Sequence, residues 1–415
     1  MDRVCRLERA AILAVVVFVA ACGSSATPSP MQTRSTATAA TTSTAFTTPA
    51  ATIPQAASEQ SLPPGVTVVD AANGIQRLDW SPSGKLLAVL TSGWELGTGR
   101  ADILDLTGRR IASFDALDMA WVDDTHFMTL VVSPNDTAHG TATLHSIDGT
   151  ESNVVPGTFG GMLGNGHGSV ALMAPVVASE APADEAFQIW SKRQLAPRIA
   201  GFGLPVRWSG DGRLLALVGE GATSRATNGL GSERAVLLAA GSSLPGTLTL
   251  LRLPEKTVVL SRPLDDIRLD VYFSPDGARL ATSDGLVLDL ADASSVQVTG
   301  GTEGWTATGA LVVVGLDHRV SLWTPAGTTV VPDAFDWAAF GPNEGDIATL
   351  PAADDNLGAP VTAVVRRAGG EVSIPLNVGL SMAAWSAAGV CFIATGTIDA
   401  QLEDNRLLRI ELPAS

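Results

Sequence analysis

The sequence predicts an all-β fold, built from repeated four-stranded units, over residues 63–415. Three observations predict it. From residue 66 onward, short apolar runs alternate with turn signals, and no segment shows the period of a long amphipathic helix. One motif, an aromatic residue followed by a glycine-closed turn and an apolar run, recurs along this region. Its copies follow one another at nearly even intervals, as is typical of repeat architectures.

Residues 1–21 have the pattern of a secretory signal peptide. Arg3, Arg6 and Arg9 provide a basic start, and residues 10–21 are uncharged and apolar. As a helix this apolar run extends about 18 Å, which is too short for a bilayer core of about 30 Å. It ends in Val-Ala-Ala-Cys at residues 19–22, which resembles the lipobox of bacterial lipoproteins.

The resemblance implies that Cys22 is lipidated and becomes the first residue of the mature chain. Two acyl chains, palmitate among them, would give stable anchoring that one chain does not give. We therefore expect a lipid-anchored protein on the extracytoplasmic face of a bacterial cell membrane, within the cell envelope. The alternative is an ordinary secretory signal that contains a cysteine.

Residues 22–62 predict a flexible tether. After Cys22 the segment is almost entirely Ser, Thr, Ala and Pro, and Arg34 and Glu59 are its only charged residues. Such a composition cannot bury enough apolar surface to offset the entropy of ordering. A coil of about forty residues spans on the order of 35 Å, which would hold the folded part just off the membrane.

The repeat is clearest in three copies: LDWSPSGKLLA at residues 78–88, VRWSGDGRLLA at 206–216 and VYFSPDGARLA at 271–281. Each copy predicts a strand that ends in an aromatic residue, a tight turn and a second apolar strand. Pro, Ser and Asp suit the early turn positions, and Gly suits the position with positive φ. Weaker copies lie near Trp121, Trp305, Trp337 and Trp385, and a divergent copy lies around Gly164-Asn165-Gly166.

Eight copies in total predict a β-propeller with eight blades. Trp80 and Trp385 are 305 residues apart, which gives about 44 residues per repeat, the period of four-stranded blades. Two neighbouring spacings of 32 residues, 273–305 and 305–337, are short for four strands, so seven blades are the alternative. The last unit lacks room for a fourth strand, and residues 66–69 could supply it and close the ring.

The region 66–415 resembles a WD40-type propeller, in particular the bacterial WD40-like (TolB-type, PD40) repeats with their Ser-Pro-Asp-Gly turn. Residues 273–277, Phe-Ser-Pro-Asp-Gly, are the best single copy. The Gly-His and Trp-Asp signatures of true WD40 repeats are absent, so the resemblance implies the fold more strongly than any function.

The composition and motifs favour a binding protein over an enzyme. A net charge of −16 argues against a nucleic-acid partner, because phosphate recognition needs a basic surface. The sequence contains no Gly-x-Ser-x-Gly, no Ser-x-x-Lys and no His-Glu-x-x-His motif, and we expect no catalytic residues and no cofactor.

Four residues are candidates for binding. Trp94 lies in a glycine-bracketed loop, where an exposed aromatic residue could anchor a partner. His167 lies in a glycine-rich turn, Gly-Asn-Gly-His-Gly at 164–168. No histidines or cysteines occur at the spacing of a metal-binding motif, so we expect no metal site of that kind. Asp354 and Asp355, in the loop 350–360, are the candidate calcium ligands. Adjacent carboxylates in such a loop more often face solvent.

These observations predict a membrane-anchored lipoprotein whose propeller is a non-catalytic scaffold for a protein or peptide partner of the cell envelope. The alternative function is a glycan- or small-ligand-binding protein, or a hydrolase, that uses the mouth of the central channel. The insertion at residues 219–246 is a further place where binding could reside.

Overall fold

The computed structural model describes residues 62–70, 75–92, 99–133, 136–174, 186–219, 246–265, 270–343, 345–350, 361–367, 370–376, 382–395 and 406–412. These ranges contain 32 β-strands and no helix. Among the described residues there is accordingly no helix that could span a membrane. Residues 63–415 form one compact unit, and residues 1–62 fall outside it.

The strands form eight antiparallel blades in a ring, as the repeat predicts. In each blade the first strand lies next to the central channel, and the following strands lie successively further out. The first strand of the chain, β1 (Val66–Asp70), belongs to the last blade.

Blade 1 contains β2 (Ile75–Trp80), β3 (Leu86–Ser92), β4 (Gly99–Asp105) and β5 (Arg110–Asp115). Blade 2 contains β6 (Asp118–Trp121), β7 (His126–Ser133), β8 (Asp136–Ser146) and β9 (Ser152–Val154). Blade 3 contains β10 (Gly161–Gly164), β11 (Ser169–Met173), β12 (Ala186–Ser191) and a divided outer strand, β13 (Gln194–Leu195) and β14 (Ile199–Ala200). Blade 4 contains β15 (Leu204–Trp208), β16 (Leu214–Gly219), β17 (Gly246–Arg252) and β18 (Thr257–Leu264).

Blade 5 contains β19 (Val271–Phe273), β20 (Arg279–Thr282), β21 (Leu286–Asp289) and β22 (Ser295–Gln297). Blade 6 contains β23 (Gly301–Trp305), β24 (Leu311–Val314), β25 (Arg319–Thr324) and the first part of β26 (Gly327–Phe340). Blade 7 contains the rest of β26, β27 (Ile347–Leu350), β28 (Val361–Arg367) and β29 (Gly370–Leu376). Blade 8 contains β30 (Met382–Trp385), β31 (Cys391–Thr395), β32 (Arg406–Ile410) and β1.

The short spacings that suggested seven blades have a structural explanation. Blade 5 fits four strands into its short repeat because each strand has only three or four residues. Blades 6 and 7 share one continuous 14-residue strand, β26, which is the outer strand of one blade and then the inner strand of the next. No separate connection is needed there, so the eight-blade prediction is confirmed.

The ring closes through the N-terminal strand, as predicted. β1 pairs antiparallel with β32, and Val66 lies opposite Ile410. Strands from the two ends of the described chain therefore complete one blade. This pairing covers the edge of β32, which would otherwise present free backbone groups.

The hydrophobic core consists of separate layers between neighbouring blades. Between blades 8 and 1, Leu87 and Phe392 are fully buried, and the rings of Trp80 and Phe392 meet edge to face at 5.6 Å. Between blades 1 and 2, Ile103 and Phe127 are equally inaccessible to solvent. Each blade therefore depends on both of its neighbours for burial of its two faces.

The repeat tryptophans join blades in pairs. The indole Nε1 of Trp208 in blade 4 donates a hydrogen bond to the carbonyl oxygen of Leu163 in blade 3, at 2.9 Å. The acceptor in every such pair is the next-to-last residue of the preceding inner strand. The same bond, 3.1 Å long, joins Trp121 to Asp79, Trp305 to Tyr272 and Trp385 to Ala339. Blades 1 and 2, 3 and 4, 5 and 6, and 7 and 8 are linked in this way.

The glycine-closed turns carry their own hydrogen bonds. In the best copy, the Ser274 hydroxyl donates to the Asp276 carboxylate at 2.6 Å, and the Arg279 amide donates to the Ser274 hydroxyl at 2.8 Å. Gly277 has a φ of 67°, a backbone conformation that glycine adopts without strain. The hydrogen bond from Ser274 and that from the Ala278 amide lower the pKa of the Asp276 carboxyl.

We expect Asp276→Asn to destabilise the protein slightly near neutral pH and not in acid. A carboxyl whose pKa is lowered by folding contributes stability above its unfolded pKa of about 3.9, and this contribution is lost as the pH falls through the folded value. Because the turn is exposed, the neutral-pH cost should be at most about 1 kcal/mol. Urea unfolding of the variant and the natural protein at pH 7 and pH 2.5 measures the difference in unfolding free energy. A difference at pH 2.5 as large as that at pH 7 would contradict this account.

Candidate functional site

The connections between strands emerge on two opposite faces of the ring. The turn face carries the connections between first and second strands and between third and fourth strands. The loop face carries the connections between second and third strands and from each fourth strand to the next blade. The tryptophan bonds join equivalent positions of neighbouring inner strands in four blade pairs, so the two inner strands of each pair run in the same direction. The antiparallel order of four strands in every blade extends this assignment to the remaining junctions.

The turns of neighbouring blades are bonded to one another on the turn face. These bonds link blades 1 and 2, blades 2 and 3, and blades 3 and 4. They run from the Ser83 amide to the Asp124 carboxylate at 2.7 Å, from the Gly168 amide to the Val122 carbonyl at 2.7 Å, and between His167 Nε2 and the Gly210 carbonyl at 2.8 Å.

His167 lies within this bonded part of the turn face. Its side chain is exposed, but the imidazole reaches the turn of blade 4, and the His167 amide donates to the Asn165 side chain at 2.8 Å. Gly212 of blade 4 packs against the same two residues: a Cβ on it would lie 2.7 Å from Asn165 Nδ2. His167 thus contacts the next blade, and its role in partner binding stays a prediction.

Three other candidate positions fall on connections of the loop face. Residues 93–98, which contain Trp94, connect β3 to β4. Residues 351–360, which contain Asp354 and Asp355, connect β27 to β28, and residues 220–245 connect β16 to β17. These residues lie outside the described residues, as does Cys22, so their predicted roles are not tested here.

Exposed apolar side chains also occur on the loop face. Leu316, in the connection between β24 and β25, is 81% exposed. Phe202, in the connection from blade 3 to blade 4, is 36% exposed. Single apolar side chains in water are common on protein surfaces, so these two residues show where the loop face leaves apolar area exposed and do not by themselves mark a contact site.

The central channel has a polar part that the repeat does not require. The next-to-last residue of the inner strand has an equivalent place in every blade. Five blades have a small or aliphatic residue there, and three have a charged or aromatic polar residue. The eight residues, from blade 1 to blade 8, are Asp79, Ala120, Leu163, Arg207, Tyr272, Gly304, Ala339 and Ala384.

Asp79 is electrostatically coupled to groups on other blades. Burial raises the pKa of its carboxyl, although the positive charges of Arg77 and Arg207 lower it. Arg207 belongs to blade 4, three blades further along the ring. Arg77 is already engaged, because its guanidinium contacts the Asp118 carboxylate at 3.0 Å and donates to the Met119 carbonyl.

Arg207 is held in place by blade 5. Its Nε donates to the Val271 carbonyl at 3.1 Å, and its guanidinium carbon lies 5.7 Å from the centre of the Tyr272 ring. Burial and the negative charges of Asp270 and Glu303 raise the pKa of the Tyr272 phenol, so this tyrosine stays protonated. Arg207 and Tyr272 are therefore in direct contact, whereas Asp79 is related to them only through the effect of the Arg207 charge on its pKa.

The sequence predicts the channel mouth only as the site of the alternative function, and it does not single out these three residues. The available signal was the repeat itself, since Asp79, Arg207 and Tyr272 each replace a small or aliphatic residue at one repeat position. That signal is weak in the sequence because the residues are separated by 128 and 65 positions along the chain.

The described residues offer no metal centre or activated thiol. No group of three or more His, Cys, Asp or Glu side chains among them could hold a metal ion. Cys391 is fully buried, and burial raises the pKa of its thiol, which disfavours the reactive thiolate.

Comparisons with known proteins bear on the fold alone. No protein-family model matches the sequence, and no curated protein matches it. Among solved structures, the Dos1 propeller is 11% identical with a TM-score of 0.45, over 72% of this chain and 78% of that chain. A eukaryotic initiation factor is 12% identical with a TM-score of 0.46, over 81% and 85% of the two chains. Hydrazine synthase of Kuenenia stuttgartiensis is 13% identical with a TM-score of 0.40, over 60% and 76%.

The chain's own architecture settles the fold without help from these weak similarities. Each blade is a four-stranded antiparallel sheet whose strands follow chain order from the channel outward, and the last blade is completed by the first strand. The protein is therefore a β-propeller with eight blades.

Proposed function

We propose that the protein is a lipoprotein of the bacterial cell membrane, anchored through Cys22 on the extracytoplasmic side. In this proposal the propeller is a non-catalytic scaffold that binds a protein or peptide partner of the cell envelope through its loop face. The signal peptide, Cys22 and the tether at residues 22–62 support the anchoring.

The difference between the two faces is the observation that supports a binding role for the loop face. On the turn face, short turns are bonded to one another across blades. On the loop face, connections reach 26 residues between Gly219 and Gly246, and Leu316 and Phe202 leave apolar surface in water. Long, variable connections on a rigid scaffold are where propellers and other folds place their binding residues.

The charge of the chain indicates the kind of partner. With 42 acidic and 26 basic residues, the protein would attract a partner that presents a basic patch. Trp94 fits this proposal as an aromatic anchor, because it belongs to a loop-face connection. His167 does not fit it directly, since it lies on the turn face.

Site-specific photo-crosslinking in cells tests the proposal. A photoreactive residue is placed at Leu316 or Phe202 on the loop face, and at Lys85 or His167 on the turn face as matched controls. We expect one envelope protein to be captured at the loop-face positions only, and Trp94→Ala and Leu316→Asp to reduce its recovery. Capture of that protein through His167 alone, or no reproducible capture, would contradict the loop-face proposal.

The anchoring is tested separately. Cys22→Ala should release the protein from the membrane fraction into the medium, because the acylated thiol is the proposed attachment. Membrane retention of the variant equal to that of the natural chain would overturn the lipoprotein assignment and leave the binding proposal untouched.

A further inference from the structure

Blades 3 and 4 are basic, although the protein as a whole is acidic. The chain has 42 acidic and 26 basic residues. From Gly161 to Leu264, however, the described residues include eight Lys and Arg and two acidic residues, Asp211 and Glu255. Positive charge that is concentrated in one part of the ring attracts anions to that part, even when the net charge of the protein is negative.

A cleft opens on the turn face of blade 4, within this basic part. It has a volume of about 610 Å³, and its lining includes Arg213, which follows the first turn of the blade, and Arg252, the last residue of β17. The Leu253 amide donates a hydrogen bond to the Arg213 carbonyl at 2.9 Å, so the two arginines come from neighbouring chain segments. The half-buried Leu253 and the exposed Pro254 line the cleft as well. Two cations and an apolar surface therefore border one space.

Both guanidinium groups are available to a ligand. Within the described part of the chain, Arg252 forms no salt bridge and its side chain donates no hydrogen bond. The Arg213 side chain is mostly exposed, and its Nε lies 3.9 Å from the Asp211 carboxylate, a contact that contributes little in water. That carboxylate serves its own turn, since it accepts the Ser209 hydroxyl at 2.6 Å and the Arg213 amide at 3.1 Å.

The repeat does not require an arginine at the position of Arg252. This residue pairs with the first residue of the second strand of its blade, and the residues in the same place in blades 1, 2 and 5 are Asp105, Ser146 and Asp289. Each of these three side chains accepts a backbone amide of the turn that follows, at 2.8 to 3.0 Å. An arginine side chain has no acceptor, so Arg252 cannot replace this bond.

We propose that the cleft binds the phosphate group of an organic phosphate ester, held between the guanidinium groups of Arg213 and Arg252. A guanidinium offers parallel donors that match two phosphate oxygens, and charge-assisted hydrogen bonds of this kind are strong. The organic part of the ester lies against Leu253 and Pro254, and the volume of the cleft is that of a site for a small molecule. The site is separate from the loop-face partner, because it opens on the opposite face of the ring.

Two sources can supply such a group, a soluble phosphate ester and a phospholipid headgroup. The second source follows from the path of the chain. β1 begins at the turn face, where Val66 lies opposite Ile410, so the proposed tether joins the ring on the face that carries the cleft. A lipid source rests on the proposed anchoring, whereas the site itself does not.

Isothermal titration of the full chain in dodecyl maltoside tests the site. Glycerol 3-phosphate is the soluble phosphate probe, and glycerol and glycerate are its controls without a phosphate group. Micelles that carry phosphatidylglycerol are the lipid probe, and micelles that carry phosphatidylcholine are their control. We expect at least one of the two phosphate probes to bind at millimolar concentration or better, and each control to bind at least about tenfold more weakly. Binding of the soluble probe assigns a free ester, and binding of the lipid probe alone assigns a headgroup.

Four variants assign the contacts. Arg213→Gln and Arg252→Gln should each weaken binding of the preferred phosphate probe by about tenfold or more. Glu255→Gln should strengthen it by about two- to fivefold, because Glu255 lines the cleft and its charge repels the phosphate. Arg109→Gln is the matched control, since Arg109 lies in the turn between β4 and β5 and is 77% exposed, close to the 80% of Arg213. It should leave the affinity unchanged, and near-UV circular dichroism verifies that each variant has folded.

Three outcomes would overturn the proposal. The first is the absence of binding by both phosphate probes in the natural chain. The second is binding of glycerate as tight as that of glycerol 3-phosphate, which would indicate a site for any anion. The third is an affinity that folded Arg252→Gln changes no more than Arg109→Gln does, which would place the binding outside the cleft.

Discussion

A chain that lacks β1 should melt at a clearly lower temperature than the natural protein. Deletion of residues 1–70 removes the outer strand of blade 8 and exposes the backbone edge of β32. It also removes Val69, which packs against the hydrophobic layer between blades 8 and 1. Val66, which is 7% exposed, is lost with it. The lost ladder bonds and apolar contacts amount to at least about 4 kcal/mol, and we expect the melting temperature to fall by on the order of 10 °C.

The matched control for this deletion is a chain that begins at residue 62. It lacks residues 1–61, the predicted signal peptide and tether, but keeps β1 intact, and its melting curve should match that of the full chain. Calorimetry of the three chains makes the comparison. A chain without β1 that melts like the control would show that β1 contributes nothing to ring closure.

Trp208→Phe should destabilise the protein more than Trp80→Phe, although the chemical change is the same. In Trp208→Phe, the Leu163 carbonyl of blade 3 loses its donor, while phenylalanine leaves part of the indole volume empty. The indole nitrogen of Trp80 is buried without a hydrogen-bond partner among the described residues, so Trp80→Phe removes no such bond. An unsatisfied buried acceptor costs about 1–3 kcal/mol.

Urea unfolding of the two variants measures this difference. Both substitutions keep an aromatic ring at a repeat position, and in Trp80→Phe the ring can still meet Phe392 edge to face. We expect Trp208→Phe to unfold at a lower urea concentration by an amount equivalent to about 1–2 kcal/mol. Equal midpoints, or a larger loss in Trp80→Phe, would show that the indole bond does not join the blades.

The unpaired Trp80 lies where the ring closes. The four tryptophan bonds join each even-numbered blade to the odd-numbered blade before it, and the acceptor is always next to the strand end. Trp80 is the repeat tryptophan of an odd-numbered blade, and its neighbour is blade 8, the blade that is completed by β1. This junction rests on packing and on strand pairing instead of an indole bond.

The fold could be predicted largely because the repeat is local. The Ser-Pro-Asp-Gly turn, the strand that precedes it and the strand that follows are all written within eleven residues, as at residues 271–281. Copies of such a unit cannot bury both faces alone, so their number and spacing predict a closed ring of blades. The closing role of residues 66–69 followed from a missing strand in the last repeat, and β1 confirms it.

The candidate sites were harder to predict. Trp94 is an aromatic residue outside the repeat pattern, and Asp354 and Asp355 are adjacent acids, so these predictions rest only on neighbours in sequence. His167 was selected for its glycine-rich surroundings, whereas its contact is with Gly210, a residue of the next blade. The channel group of Asp79, Arg207 and Tyr272 was missed because each member comes from a different blade.

The all-β class, the eight repeats and the strand that closes the ring follow from the sequence alone, because each depends on patterns within one segment or on their period. The signal peptide and the tether are predictions of the same local kind. Only the tertiary structure decided which tryptophans bond across blades, which connections share a face, and which charged side chains pair between inner strands, as Arg77 and Asp118 do. The physical reason is that these contacts join residues of different blades. Which residues meet depends on how the inner strands of neighbouring blades are aligned with one another, and the sequence of a single repeat does not contain this alignment.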